Sequence, residues 1–195
     1  MRLGRVLPRF FRIQIRRCLL VQQARRRPRR IILGAGGTSQ RGWVSTDITT
    51  LNITEDRDWS RYFVPQSIDA LLAEHVWEHL TEVEGLKAAR LCYRYLRPGG
   101  YLRMAVPDGL NPDPTYQVHV RPPAQGHLSL FNHRRLVLLL EAAGFSVELL
   151  EWFDEQGRFH TRDWDVAGGR IERSYRFDER RTVSIIVDAR KDSGK

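Results

Sequence analysis

The chain has 195 residues, 42% of them hydrophobic and 28% charged, enough for one domain with a full core and too few for two large ones. Its net charge of +9 sits at one end: residues 1–30 hold eleven arginines and no acid, leaving 21 basic against 23 acidic residues, a net of −2, in the remainder. A near-neutral body argues against a nucleic-acid groove, two cysteines without metal-type spacing (Cys18 and Cys92) argue against a disulfide scaffold, and no apolar run has the length of a membrane span.

Residues 1–29 read as a basic arm. Leu3, Val6, Leu7, Phe10 and Phe11 alternate with Arg2, Arg5, Arg9 and Arg12 at partly helical spacing, interrupted by Gly4 and Pro8. Residues 18–24 are a better helix candidate ahead of the arginine cluster at 25–30. Such a segment can pack its apolar side on the body, lie on an anionic membrane surface, bind an acidic partner, or act in targeting or nucleic-acid binding. The arm lacks the uninterrupted apolar core of a signal peptide. A cytoplasmic protein is expected, peripheral on the inner membrane face if the arm meets lipid.

The body, residues 30–192, alternates strand and helix signals. The apolar run 31–33 enters a turn at Gly34, Ala35, Gly36 and Gly37, and a strand over 43–48 then delivers Asp47. Only residues 38–42 separate the two, too few for a crossover helix, so the first helix is expected to shrink to a turn. Residues 56–63 read as a mixed loop, and 68–73 as a buried parallel strand. Thr81 and Glu84 form a capping box that opens a helix over 81–96, stopped at Pro98-Gly99-Gly100. A strand follows at 101–106. The proline- and glycine-rich stretch 111–126 reads as an extended loop. A helix is expected at 132–143, with strands at 146–153 and 182–189. The long polar insert between them carries Trp152, Phe159, His160, Asp163, Trp164 and Asp165 as a lid, a substrate wall or a plain surface excursion. This alternation predicts an open, mostly parallel α/β sheet of the Rossmann-like kind.

Ligands of such sheets bind at the carboxyl ends of the strands. Those ends carry the glycine turn, Asp47, Glu74, His75 and Asp108. Glycine lets a backbone turn sharply or approach a ligand, and an acid closing the second strand suits ribose hydroxyls. The last glycine of the dinucleotide fingerprint is replaced by Ser39, and Asp47 follows Gly36 by eleven residues where about twenty are usual; NAD is disfavoured. Residues 75–79 spell H-x-x-E-H, the inverted zinc-protease pattern. Zinc would need both histidines on one helical face, whereas His75 is expected to close a strand. His127, ending the proline-rich loop, is either a loop-fixing residue or a general base.

These motifs resemble the class I S-adenosylmethionine (SAM)-dependent methyltransferases, and in particular small bacterial members described only as predicted enzymes. The resemblance covers residues 30–191 and rests on LGAGG (33–37), WVSTDI (43–48), SIDALLAEHVWEHL (67–80), LRPGGYLRMAVPDG (96–109), GHLSLFN (126–132), LLEAAGFSVELLEWFD (139–154) and IIVDA (185–189). It implies a seven-stranded sheet with the last strand inserted antiparallel, and SAM as cofactor. It places the backbone of Gly34, Ala35, Gly36 and Gly37 at the cofactor's amino-acid end and Asp47 on its ribose. Asp58 falls in the region of the adenine, and Glu74 and His75 in the lining of the pocket. The expected activity is methyl transfer to a hydroxyl or amine of a small molecule, glycan or lipid, with His127 as preferred base, Asp108 and His75 as alternatives, and no metal. Rival readings are a non-catalytic nucleoside-binding module and a zinc hydrolase using H-x-x-E-H.

Overall fold

The computed structural model describes residues 29–178 and 183–194; the basic arm, apart from Arg29, and the first residue of the strand expected at 182–189 lie outside them. One seven-stranded sheet runs through the body. Its strands are β1 (Arg30–Leu33), β2 (Val44–Ser45), β3 (Ile68–Glu74), β4 (Leu96–Pro107), β5 (Ser146–Phe153), β6 (Phe159–Thr161) and β7 (Ser184–Arg190), arranged β2-β1-β3-β4-β7-β5-β6. The β1–β2, β1–β3 and β3–β4 pairs are parallel. β7 lies antiparallel to both β4 and β5, so the last long strand is indeed the inserted one.

Strict alternation along the strands gives the sheet two different faces. Ile31, Leu33, Leu71, Leu102 and Met104 join the larger core under three helices: α1 (Asp56–Ser60), α2 (Glu82–Tyr95) and α4 (His133–Ala142). Ile32, Leu72, Ala105 and Ile186 point the other way, against Trp164 and Ile171 of the late insert. The insert stands where a helix would be expected. Among the described residues no helix is long and apolar enough to cross a membrane.

Local chemistry accounts for the elements. The Thr81–Glu84 capping box forms at the start of α2, and Asn132 caps α4 through the Arg135 amide. α2 does not run to the Pro98-Gly99-Gly100 stop: the chain enters β4 directly after Tyr95, and the Lys191 ammonium holds the freed Tyr93 and Leu96 carbonyls at 2.8 and 2.9 Å. The glycines instead loop out where the β3–β4 register shifts between Ile68 and Ala70. The strand expected over 43–48 is shortened to two residues because the chain turns at Asp47, whose carbonyl accepts the Thr50 and Leu51 amides.

Two stretches expected as loops are helical. In 56–63, Trp59 is fully buried, stacks on Tyr95 at 5.2 Å and donates to the Ile53 carbonyl, and this anchor organises α1. In 111–126, Asp113 caps the helix α3 (Pro114–Val120) with proline at its first position, an N-terminal signal outweighed by the loop-like composition around it. Between β1 and β2 the connection is a turn, as the spacing requires.

Asp108, expected among the catalytic candidates, is a strand-end staple. It is fully buried, and its carboxylate accepts the Leu110 and Phe153 amides at 2.9 and 2.8 Å while its own amide donates to the Tyr116 hydroxyl. Burial pushes this carboxyl up from 3.8 to about 6, against the lowering pull of the two amides. The folded state therefore holds the proton more tightly than the unfolded chain, and stability from this group is complete below its unfolded value and lost as pH rises through about 6. Comparing urea midpoints of the wild type with Asp108→Asn from pH 4 to 7 should show the wild type losing on the order of 3 kcal/mol relative to the variant. Parallel pH profiles would rule this out.

Candidate active site

The carboxyl ends of β1, β2 and β3 border a pocket of about 320 Å³, lined by Gly34, Asp47, Leu51, Asn52, Ile53, His75, Val76 and His79, with Ile48 and Leu80 at its sides. Gly34 has φ of 58°, and a Cβ there would come within 2.6 Å of Val76 Cγ2, so the position requires glycine on two counts. Asp47 is held by Thr50, whose hydroxyl accepts the Asp47 amide at 2.9 Å and donates to its carbonyl at 2.8 Å. The arrangement offers one carboxylate above an apolar floor, suited to a nucleoside.

A second pocket, about 490 Å³ in volume, adjoins the first. Tyr116 and His119 from α3, His127 from the following loop, and Glu172, Arg173 and Phe177 from the insert form its walls. His75 lines both spaces. It stands just past β3 with φ of 56°, a left-handed conformation uncommon for a side-chain-bearing residue. Its Nε2 lies 2.8 Å from Ser184 Oγ and its Nδ1 3.1 Å from Glu78 Oε1. The latter approach has ion-pair distance without hydrogen-bond direction, so the Glu78 oxygens remain without a hydrogen-bonded partner.

The turn Trp77–His79 joins the strand end to α2's cap, and Glu78 ties it to the 127–129 segment, its carbonyl accepting the Leu128 and Ser129 amides at 2.7 and 3.0 Å. That tie carries His127 into the site. His127 is 4% exposed, and its Nδ1 stands 2.8 Å from the Val120 carbonyl. A carbonyl can only accept, so the proton is on Nδ1 and the lone pair on Nε2. Because Trp77–His79 is a single 3-10 turn rather than a helix, His75 and His79 do not share a helical face, and the inverted zinc-protease arrangement is not formed.

The structure thus gathers Gly34, Asp47 and His75 around one pocket and His75 and His127 around the other. Ala35 is buried, its amide on the Thr46 carbonyl, and Gly36 and Gly37 are exposed in the turn. Asp58 lies outside the first pocket's lining, where it accepts the Asn52 amide at 3.1 Å and pairs with Arg61. Glu74 also lies outside it, because its oxygens accept the amides of Glu172 and Arg173 at 3.1 and 2.7 Å. The sequence reading passed over Leu51, Asn52, Ile53, Tyr116 and Arg173. An N-cap at Asp113 could have pointed to Tyr116; nothing local marks the others. From the insert, Trp164 packs on the sheet and His160 stacks on Trp152 of β5 at 5.1 Å. Its pocket wall comes from residues 172–178 instead.

Solved structures share this architecture. The methyltransferase in complex with the Haloferax volcanii Trm112 methyltransferase activator superposes with a TM-score of 0.52 at 12% identity, over 95% of this chain and 93% of that one. A SAM-dependent methyltransferase from Archaeoglobus fulgidus gives 0.52 at 15% identity, over 94% and 100%. One from Thermotoga maritima gives 0.51 at 14%, over 94% and 92%. At such identities the likeness is one of fold. No curated protein sequence matches the chain. The family model described as a methyltransferase domain matches residues 21–150. That match covers two thirds of the sequence, and the chain accordingly belongs to the methyltransferase-domain family and is a class I SAM-dependent methyltransferase.

Proposed function

We propose that this enzyme methylates a hydroxyl or amine on a small polar acceptor, such as a metabolite, a sugar or a lipid head group, held in the pocket walled by Tyr116, His127 and Arg173. The observation that carries this reading is the pair of adjoining pockets sharing His75. Gly34 and Asp47 hold the cofactor in the first, with Asp47 accepting from the ribose hydroxyls and Leu51 and Ile53 flooring the nucleoside. SAM supplies an activated methyl group on a sulfonium. The chain's task is then alignment and proton removal. His75 stands on the partition, where it fixes the distance between donor and acceptor. His127 presents a lone pair on Nε2 within a wall otherwise built from Tyr116, His119 and the insert, and the acceptor's proton leaves on that side. Arg173 and His119 suit an acceptor with an anionic or hydroxyl-rich body.

The arginine-rich arm extends the reading. Eleven arginines without an acid in residues 1–30 favour an anionic membrane surface at the cytoplasmic face, which would suit a lipid-linked acceptor.

Calorimetric titration should detect SAM and S-adenosylhomocysteine binding, and Asp47→Ala should weaken it roughly ten- to a hundredfold through loss of charge-assisted hydrogen bonds. An absence of binding at millimolar cofactor would remove the proposal. Once an acceptor is found, His127→Ala should lower turnover by about 10²–10⁴ with cofactor affinity retained; unchanged turnover would release His127 from any role in chemistry. Co-sedimentation with phosphatidylserine vesicles should drop on deleting residues 1–28, and equal sedimentation of the shortened chain would dismiss the membrane reading.

A further inference from the structure

Glu78 is the electrostatic anomaly of the site. It is 1% exposed, and neither of its carboxylate oxygens accepts a hydrogen bond among the described residues. Its neighbour at ion-pair distance is the His75 ring, with Nδ1 3.1 Å from Oε1 but without hydrogen-bond direction. A buried carboxylate with both oxygens free of hydrogen bonds is strongly disfavoured unless a cation compensates it more closely. His79 and His127 stand beside it. One ligand atom from each of the three residues lies within 4.8 Å of the others, and the two rings are 5.0 Å apart, edge to face. Nδ1 of His127 faces the Val120 carbonyl at 2.8 Å and Nδ1 of His79 faces that of Gly126 at 3.3 Å. Both protons are thereby fixed on Nδ1, and both Nε2 atoms carry lone pairs. Carbonyl contacts of this kind are how metal-binding histidines are oriented.

We propose that Glu78, His79 and His127 bind a divalent transition-metal ion of the zinc type. Two imidazoles and one carboxylate are a zinc ligand set that leaves coordination positions open, and nitrogen donors disfavour magnesium or calcium. With bonds of about 2.0–2.1 Å, tetrahedral ligand atoms lie about 3.3 Å apart. The cluster closes to that spacing through His79, which is exposed and has the longer tether. The set differs from the inverted zinc-protease pattern because His75 is not a ligand.

Its placement suggests a use. His79 lines the cofactor pocket and His127 the acceptor pocket, so the ion sits on their partition. An acceptor hydroxyl that coordinates there gives its proton to solvent. Its oxygen then forms the bond to the methyl carbon as the carbon–sulfur bond breaks and the sulfonium becomes a neutral thioether. This step rests on the methyltransferase reading; ion binding does not. In it His127 acts by holding the ion.

The test is titration of the chelator-stripped full chain with Co²⁺, read by visible absorption, and with Zn²⁺, read by calorimetry, each with a parallel SAM titration. One ion per chain is expected, weakened at least about tenfold by His79→Ala and abolished by Glu78→Gln or His127→Ala, the last two with SAM binding retained. SAM binding without metal binding, or metal binding indifferent to His79→Ala and Glu78→Gln, would overturn the site. Metal binding without SAM binding would uphold the site and withdraw its role in methyl transfer. Because His79 is exposed, His79→Ala keeps the test decisive even if a buried variant fails to fold.

Discussion

Arg103 lies in the middle of the sheet, 3% exposed, and four oxygens occupy its guanidinium. Asp188 on the neighbouring β7 accepts two bonds at 2.7 and 2.9 Å, and the carbonyls of Asp165 and Gly169 in the insert accept at 2.7 and 2.9 Å. The ring of Trp164 lies 4.6 Å from the same cation. A charge placed there is tolerable only because each contact is made at once. The consequence reaches the site: with this face covered by a loop-rich insert, the insert's path must be fixed from below, and Arg103 fixes it. Glu151 adds a second grip through the Trp164 indole, the Ser174 hydroxyl and the Tyr175 amide, and Glu74 a third through the amides of Glu172 and Arg173. Three sheet residues thus carry the wall that the insert gives to the second pocket.

The site follows from two departures from regular geometry. β3 is followed by a left-handed residue, His75, and residues 77–79 then form a single turn before α2 begins. The Glu78 carbonyl then recruits the 127–129 segment by accepting the Leu128 and Ser129 amides. The two adjoining pockets consequently share a single short turn as their partition. That economy explains the density of histidines around it, since His75, His79 and His127 all reach one small volume from two distant stretches of sequence.

Much of this was legible beforehand. The strands 68–73 and 146–153, the capping box at Thr81 and the turn forced by five residues between Gly37 and Trp43 are statements of local spacing, and local spacing decides them. Inserting the last strand antiparallel was legible only through resemblance. α1 escaped because it depends on a distant partner, Trp59 on Tyr95, and α3 because its local Asp113 cap and Pro114 are outweighed by the loop-like composition around them. Asp108 and Glu74 look functional by position at strand ends, yet backbone amides occupy their oxygens. Glu78 shows the reverse. The H-x-x-E-H run marks it only as part of a helical zinc pattern that does not form, and the fold reveals it as buried with no hydrogen bond to its oxygens.

The outer strands of the sheet are its shortest: β2 has two residues and β6 three, against seven to twelve for β3, β4, β5 and β7. An edge strand is a template for pairing with another chain in proportion to the ladder it leaves open. Here the ladder stops almost as soon as it starts on both sides, at the Asp47 turn and at the β5–β6 hairpin. Among the described residues the sheet is therefore blunt at both margins, which protects a strongly hydrophobic interior from growing sideways into fibrils even though its central strands are long.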